Sequence, residues 1–194
     1  EGAERMSAML LGLPRSEGAR VLRQLIEGIS PFARETLGVV AVEVGASAGQ
    51  ARNYSTPGDP SAKGVAMGRE DLMIRLPFRQ AFVGNPEMPN IHGGVMAALL
   101  DHTAGFTAWA ALPSLQYRLS TVNLRVDYVA PAPCVDLIAV GTLVHAGNKI
   151  ITADAIVFPE HDPSQLVAIA RGTFAVNKIK NSGTLEAWLG KLSR

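Results

Sequence analysis

The stretch Gly93–Leu112, GGVMAALLDHTAGFTAWAAL, decides how the rest of the chain must be arranged. It is apolar on every side and is interrupted only by Asp101, His102 and two threonines. A helix that is apolar all round is either buried on all sides or crosses a membrane. Its length permits a span. An adjacent Asp and His at the midpoint would be costly in lipid, however, and the neighbouring segments read as soluble strands. The segment is read as a core helix, with no membrane span.

Downstream of it the period changes to two. Thr121, Asn123, Arg125 and Asp127 alternate with Val122, Leu124, Val126 and Tyr128, which predicts a strand with one polar face. Pro131-Ala132-Pro133 breaks that strand. Further strands are expected over Leu137–Val144, Ile150–Phe158 and Leu166–Val176, joined by a turn at Gly147-Asn148 and a wider one at Pro159–Ser164. Such short connections imply an antiparallel meander.

Upstream, Val39–Val44 and Leu72–Phe78 read as strands. Between them, residues 45–68 are rich in Gly, Ser, Ala, Pro and Asn and read as a surface loop insertion. Ser16 can cap a helix carrying Val21, Leu22, Leu25, Ile26 and Ile29, closed by Pro31. The expected organisation is a helical extension over residues 1–38, one domain over 39–178, and a tail over 179–194 with a short helix at Thr184–Leu192. A sheet with one apolar face needs a cover. The only long apolar helix available starts at Gly93, so the expected class is α+β, an antiparallel sheet curled around one central helix.

Bulk properties exclude several roles. With 47% hydrophobic and 18% charged residues the chain is a compact folded protein, not a disordered one. A formal net charge of +1 argues for no nucleic-acid or membrane-surface partner, so a phosphate-bearing ligand would have to meet a few local cations. The single Cys134 allows no intramolecular disulfide, fits a reducing compartment and is read as structural. No secretion signal is visible and the sequence starts with Glu. The expected location is the cytoplasm, or an organelle such as the mitochondrion if a targeting peptide was removed. His92, His102, His145 and His161 are scattered, with no metal-ligand spacing, and no nucleophile-elbow sequence supports a Ser-His-Asp hydrolase.

Chemistry concentrates on the central helix. Asp101 has no Lys or Arg within helical reach, because Ala97, Ala98, Ala104 and Gly105 occupy those positions. A buried carboxylate needs a partner or a cavity. It is either a structural group bonded to backbone or to Arg125, or a candidate for catalysis. His102, about 100° further round the helix, is read as a packing or interface residue. His92-Gly93-Gly94 opens the helix. Two glycines allow close approach to the first turn, where free N–H groups suit an oxyanion or a polarised carbonyl; a merely flexible helix start is the plainer reading. Gly93 and Asp101 lie about 12 Å apart along the axis. One carbonyl group cannot meet both on one chain, so if both act on it, they come from different subunits of a dimer.

The run NIHGGVMAALLDHTAG resembles the His-Gly-Gly…Asp motif of hotdog-fold thioesterases, specifically the phenylacetic-acid-degradation (PaaI-like) branch. RLPFRQAFVGNP and STVNLRVDYVAPAP resemble the same branch, and the likeness covers approximately Asp71 to Val176. It implies a hotdog fold, homodimers and often homotetramers, and hydrolysis of an acyl-coenzyme A with no separate cofactor. It also implies roles. Asp101 matches the acid that acts as nucleophile or general base, and Gly93 the glycine whose N–H polarises the carbonyl from the opposing subunit. His92 matches the histidine at the helix start, Asn85 an asparagine that places the carbonyl or the water, and Thr121 a Ser or Thr near the acid. The link from Asn85 to His92 is about one residue longer than in many members, so Asn90 is an alternative to Asn85. Asn123 stands where an acid is usual.

Gly94 is assigned to substrate binding, and Lys149 beside the Gly147-Asn148 turn is the first choice for coenzyme A phosphates, with Arg125 and Arg171 weaker choices. Met96, Phe106 and Trp109 are candidates for shaping the pocket. Two rival readings are a hotdog protein that binds acyl-CoA without turnover, and a hydratase or dehydratase pairing His92 with Asp101 across a dimer.

Overall fold

A computed structural model describes residues 32–41, 72–112 and 117–178. The expected helix over Ser16–Ile29, the loop over 45–68 and the helix over Thr184–Leu192 lie outside the described residues, as does the second half of the strand expected over Val39–Val44. A π-helical turn, Phe32–Leu37, precedes strand β1, Val40–Ala41. Strand β2 covers Leu72–Leu76, and a 3-10 turn follows at Gln80–Phe82. The helix α1 runs Gly93–Ala110. Four long strands complete the fold: β3 (Tyr117–Tyr128), β4 (Leu137–Ala146), β5 (Ile150–Pro159) and β6 (Ala168–Lys178).

The strands form one six-stranded sheet in the order β1-β2-β4-β5-β6-β3, antiparallel at every pairing. The meander expected from the short connections is therefore confined to β4-β5-β6. Strand β3 pairs with β6 at one end of the sheet, and β4 pairs with β2 towards the other. Residues 129–136 are long enough to carry the chain across instead of turning it back.

α1 lies on the sheet where the sheet is flattest in side chains. Ala139, Ala153, Ala155, Ala168 and Ala170 are buried at that face, facing Met96, Leu99, Leu100 and Ala104 of the helix. Gly141 belongs to the same surface: a Cβ there would stand 2.0 Å from Thr107 Oγ1. That hydroxyl cannot swing away freely, because it donates a 2.8 Å bond to the Thr103 carbonyl. Thr103 likewise bonds back to Leu99, so both polar side chains of the buried stripe are satisfied within the helix. A second apolar cluster, Ile138, Val140, Ile156 and Phe158, occupies the opposite face of the sheet.

Two features depart from the sequence reading. α1 is apolar all round, yet only one stripe is fully buried; Ala97, Ala98, Asp101, His102, Gly105 and Trp109 are partly open along the other side. And β3 is not a single period-two strand. Thr121 pairs with Phe174 and Asn123 with Thr173, leaving Val122 as a bulge. The extra residue shifts the parity. Leu119 and Thr121 face the helix before the bulge, and Leu124 and Val126 face it after. Thr121, which alternation assigns to the polar face with Asn123, is thus turned towards α1.

Among the described residues no helix is long and apolar enough to cross a membrane.

Candidate active site

The start of α1 is fixed by the loop before it. Val83 bridges Ile91, Gly84 N donates to the Asn90 carbonyl at 3.0 Å, and His92 N donates to the Phe82 carbonyl at 2.8 Å. The loop is therefore pinned at its base, immediately before the helix. His92 then acts as the N-cap. Its Nδ1 accepts the Gly94 N–H at 2.9 Å, and its carbonyl accepts from Val95 and Met96. Of the four N–H groups of the first turn, three are thus used. Among the described residues the Gly93 N–H meets no acceptor. The Gly93 carbonyl is held instead by Tyr128, whose hydroxyl donates to it at 2.8 Å.

Asp101 stands two turns further on, half-buried. Thr121 Oγ1 donates to its Oδ1 at 3.1 Å. Burial is the larger influence on this carboxyl and pushes its pKa up from 3.8, while the Thr121 hydrogen bond pulls it partly back. Arg125 does not reach it, since its guanidinium lies against Asp127 at 3.2 Å. This disposes of the Arg125 pairing considered from sequence. Asp101 is left as a carboxyl that holds its proton more tightly than an ordinary aspartate does, and so as a stronger base when ionised.

The two ends of this chemistry open into separate cavities. Asp101, Thr121, His102, Gly105, Phe106 and Trp109 line one of about 350 Å³, together with Arg118, Leu119 and Phe174. Gly93, Asn90, Met96 and Tyr128 line another of about 430 Å³. Within one chain, then, Gly93 and Asp101 share a helix but not a pocket.

His102 is driven to the neutral form, its pKa lowered from 6.5 to about 4 by burial. Its ring packs edge-on against Phe106 at 4.5 Å, and its buried Nε2 has no hydrogen-bond partner among the described residues. Packing, as read from sequence, is thus part of its role.

The remaining sequence assignments are spread out. Asn85 is exposed, and its side-chain oxygen accepts the Glu87 N–H at 3.0 Å in a local turn. It lines neither cavity, whereas Asn90 lines that of Gly93. Lys149 and Arg125 line neither cavity, and Arg171 forms a two-point ion pair with Asp154 at 2.7 Å. Gly94 sits exposed at the helix mouth. Sequence reasoning missed Tyr128, Arg118, Leu119, Gly105 and Phe174. Only the aromatic character of Tyr128 and Phe174 offered a signal, and no spacing rule tied them to the helix.

The thioesterase superfamily model matches residues 88–164. The medium/long-chain acyl-CoA thioesterase YigI of Escherichia coli is 35% identical over 131 residues, 59% of this chain and 83% of its own. The chain belongs to the thioesterase superfamily. An esterase of Halobacterium salinarum is 31% identical over 113 residues, 55% of this thioesterase and 74% of that relative. Among solved structures, a thioesterase from Haemophilus influenzae superposes with a TM-score of 0.61 at 16% identity, covering 81% of this chain and 90% of its own. A phenylacetic acid degradation-related protein from Ralstonia eutropha gives 0.58 at 22% identity, covering 79% and 98%. At these identities the structures speak to the fold, and it is the hotdog fold expected from the motif. Hydrolysis of a thioester is the general reaction of the family.

Proposed function

We propose that this thioesterase hydrolyses acyl-coenzyme A to a free acid and coenzyme A, in a homodimer whose two sites are each built from both subunits. Asp101 either attacks the thioester carbonyl, giving an acyl anhydride that a water then cleaves, or takes the proton of a water that attacks it directly; the C–S bond breaks, and the sulfur takes up a proton and leaves as the coenzyme A thiol. The N–H of Gly93 from the partner subunit receives the negative oxygen that develops. The name of the Escherichia coli relative supports the substrate class. Membership of the phenylacetic-acid-degradation branch, pairing of dimers into tetramers, and action without a cofactor complete the proposal, on the strength of the His92-Gly93-Gly94…Asp101 motif.

One observation carries this reading. The helix bears a base and an unused N–H donor about 12 Å apart, and they face different cavities. A second copy removes the separation. Strand β3 ends the sheet order, leaving a twelve-residue edge without a strand beside it among the described residues. An edge of that length is a ready surface for another chain.

The test uses two damaged subunits. Asp101→Asn removes the base. Gly93→Pro removes the N–H at the first helical position, where proline is tolerated. His92 already has φ −59° and ψ 137°, the conformation a following proline demands. Each homodimer should release almost no thiol from a panel of acyl-CoAs, while co-expressed mixed dimers should recover one working site. Mixed dimers as inactive as either parent would sink the shared site. A wild-type protein that binds acyl-CoA but releases no thiol would favour the binding module, and an absorbance change with an enoyl-CoA would favour a hydratase.

A further inference from the structure

The cavity beside Asp101 has a direction. Two contacts hold β3 against α1: Thr121 to Asp101, and Tyr128 to Gly93. The helix and the strand therefore run antiparallel. Continuing along α1 from Asp101 to Trp109 follows β3 back through Leu119 to Arg118, and all of these residues line the cavity. It extends from the carboxyl for roughly 12 Å, the rise of eight helical residues.

Along that line the helix presents one residue per turn: Asp101, then Gly105, then Trp109. Gly105 is the gap. A glycine in mid-helix weakens the helix relative to alanine, so its presence needs a reason. Close packing does not supply one. A Cβ at Gly105 would lie 3.5 Å from the nearest atom of the Phe174 ring, an ordinary contact. Phe174 itself is 2% exposed, and its ring fills the space left by Gly172, where a Cβ would come within 2.6 Å of it. The ring is a floor set down into the sheet. Alanine would fit at Gly105 without a clash, and what it would take up is room in the cavity.

Resting on the acyl-CoA reading above, we infer that Gly105 sets the depth of the acyl pocket. The chain of an acyl group leaves the thioester carbonyl beside Asp101, crosses Gly105 over the Phe174 ring and ends against Trp109. The substrate class is an extended acyl chain that reaches past the first helical turn beyond the base, not an acetyl or propionyl group that stops short of it.

The test compares acyl-CoAs of increasing length with wild type, Gly105→Ala and Gly105→Leu. Wild type should prefer decanoyl-CoA to propionyl-CoA. Gly105→Leu should cut kcat/KM for decanoyl-CoA by about tenfold or more, leaving propionyl-CoA within about threefold, since space for methylenes is what is lost. Gly105→Ala should shift the preference in the same direction by about threefold while raising Tm. If Gly105→Leu fails to fold, the alanine variant decides the question. An equal loss on every chain length, or an unchanged profile, overturns the pocket-depth role alone. A wild type that hydrolyses no acyl-CoA overturns the parent reading and this inference with it.

Discussion

Thr121 Oγ1 donates a 3.1 Å hydrogen bond to Asp101 Oδ1, joining the edge strand to the middle of the helix. The bond favours the ionised carboxylate against the burial that opposes it. Thr121→Val should therefore raise the Asp101 pKa further and move the acid limb of the kcat/KM profile to higher pH. The limb should move by about one pH unit, the equivalent of a ~1.4 kcal/mol interaction, so activity should fall about tenfold on the acid side of the limb and little on the plateau above it. An unmoved acid limb would mean that this hydroxyl does not act through the carboxyl.

Asp101→Asn should abolish thiol release yet make the protein more stable at neutral pH. The folded pKa of Asp101 is raised, so the folded state holds this proton more tightly than the unfolded chain does. Its stabilising contribution is complete below the ordinary value of 3.8 and is lost as pH rises through the raised value. Denaturant titrations should show wild type and Asp101→Asn converging at low pH and diverging towards pH 7, with the variant above. A variant less stable at neutral pH would contradict the burial argument.

His102 has the opposite sign. Its folded pKa of about 4 lies below the ordinary 6.5, so the folded state holds fewer protons across that interval. Stability falls as pH is lowered from 6.5 towards 4. Replacing His102 by Phe removes the titrating group and should flatten that part of the stability curve. Equal slopes in wild type and variant would mean that the ring is charged in the folded protein.

Tyr128→Phe should lower stability by about 1 kcal/mol, the worth of one ordinary hydrogen bond. It frees the Gly93 carbonyl, so amide hydrogen exchange should quicken in the first turn of α1 more than in its last. Uniform exchange along the helix would show that the tyrosine does not anchor that end.

Gly141→Ala should cost about 1–3 kcal/mol, the usual penalty for overfilling a packed interior. The added methyl meets Thr107 Oγ1, which is committed to the Thr103 carbonyl. Thermal unfolding measures the loss directly. Pairing Gly141→Ala with Thr107→Ala should recover part of it.

The central helix was legible because its composition admits so few arrangements. An eighteen-residue apolar segment with a sheet beside it can only be the sheet's cover. Strands β4, β5 and β6 were legible for a similar reason, each being a short β-branched run between turn residues. Asp101 stood out as the one acid in that helix. What stayed hidden depended on register. The place of β3 beside β6, instead of beside β4, is a choice among pairings that alternate equally well. Asn85 and Asn90 could not be told apart by spacing, since the turn that engages the Asn85 side chain is a local hydrogen-bond matter. Phe174 and Gly105 approach across sixty-nine residues of sequence, and only packing brings them face to face.

The single surplus residue at Val122 divides β3 into two levers of opposite phase. One carries the hydroxyl that touches the base, and the other carries the phenol that tethers the helix mouth. A uniform strand would have to choose between them, because Thr121 and Tyr128 are an odd number of positions apart. The kink lets one ribbon grip the same rod at both ends. Deleting that valine would leave one grip or the other pointing outwards, so the span between the two cavities is written into the length of the strand.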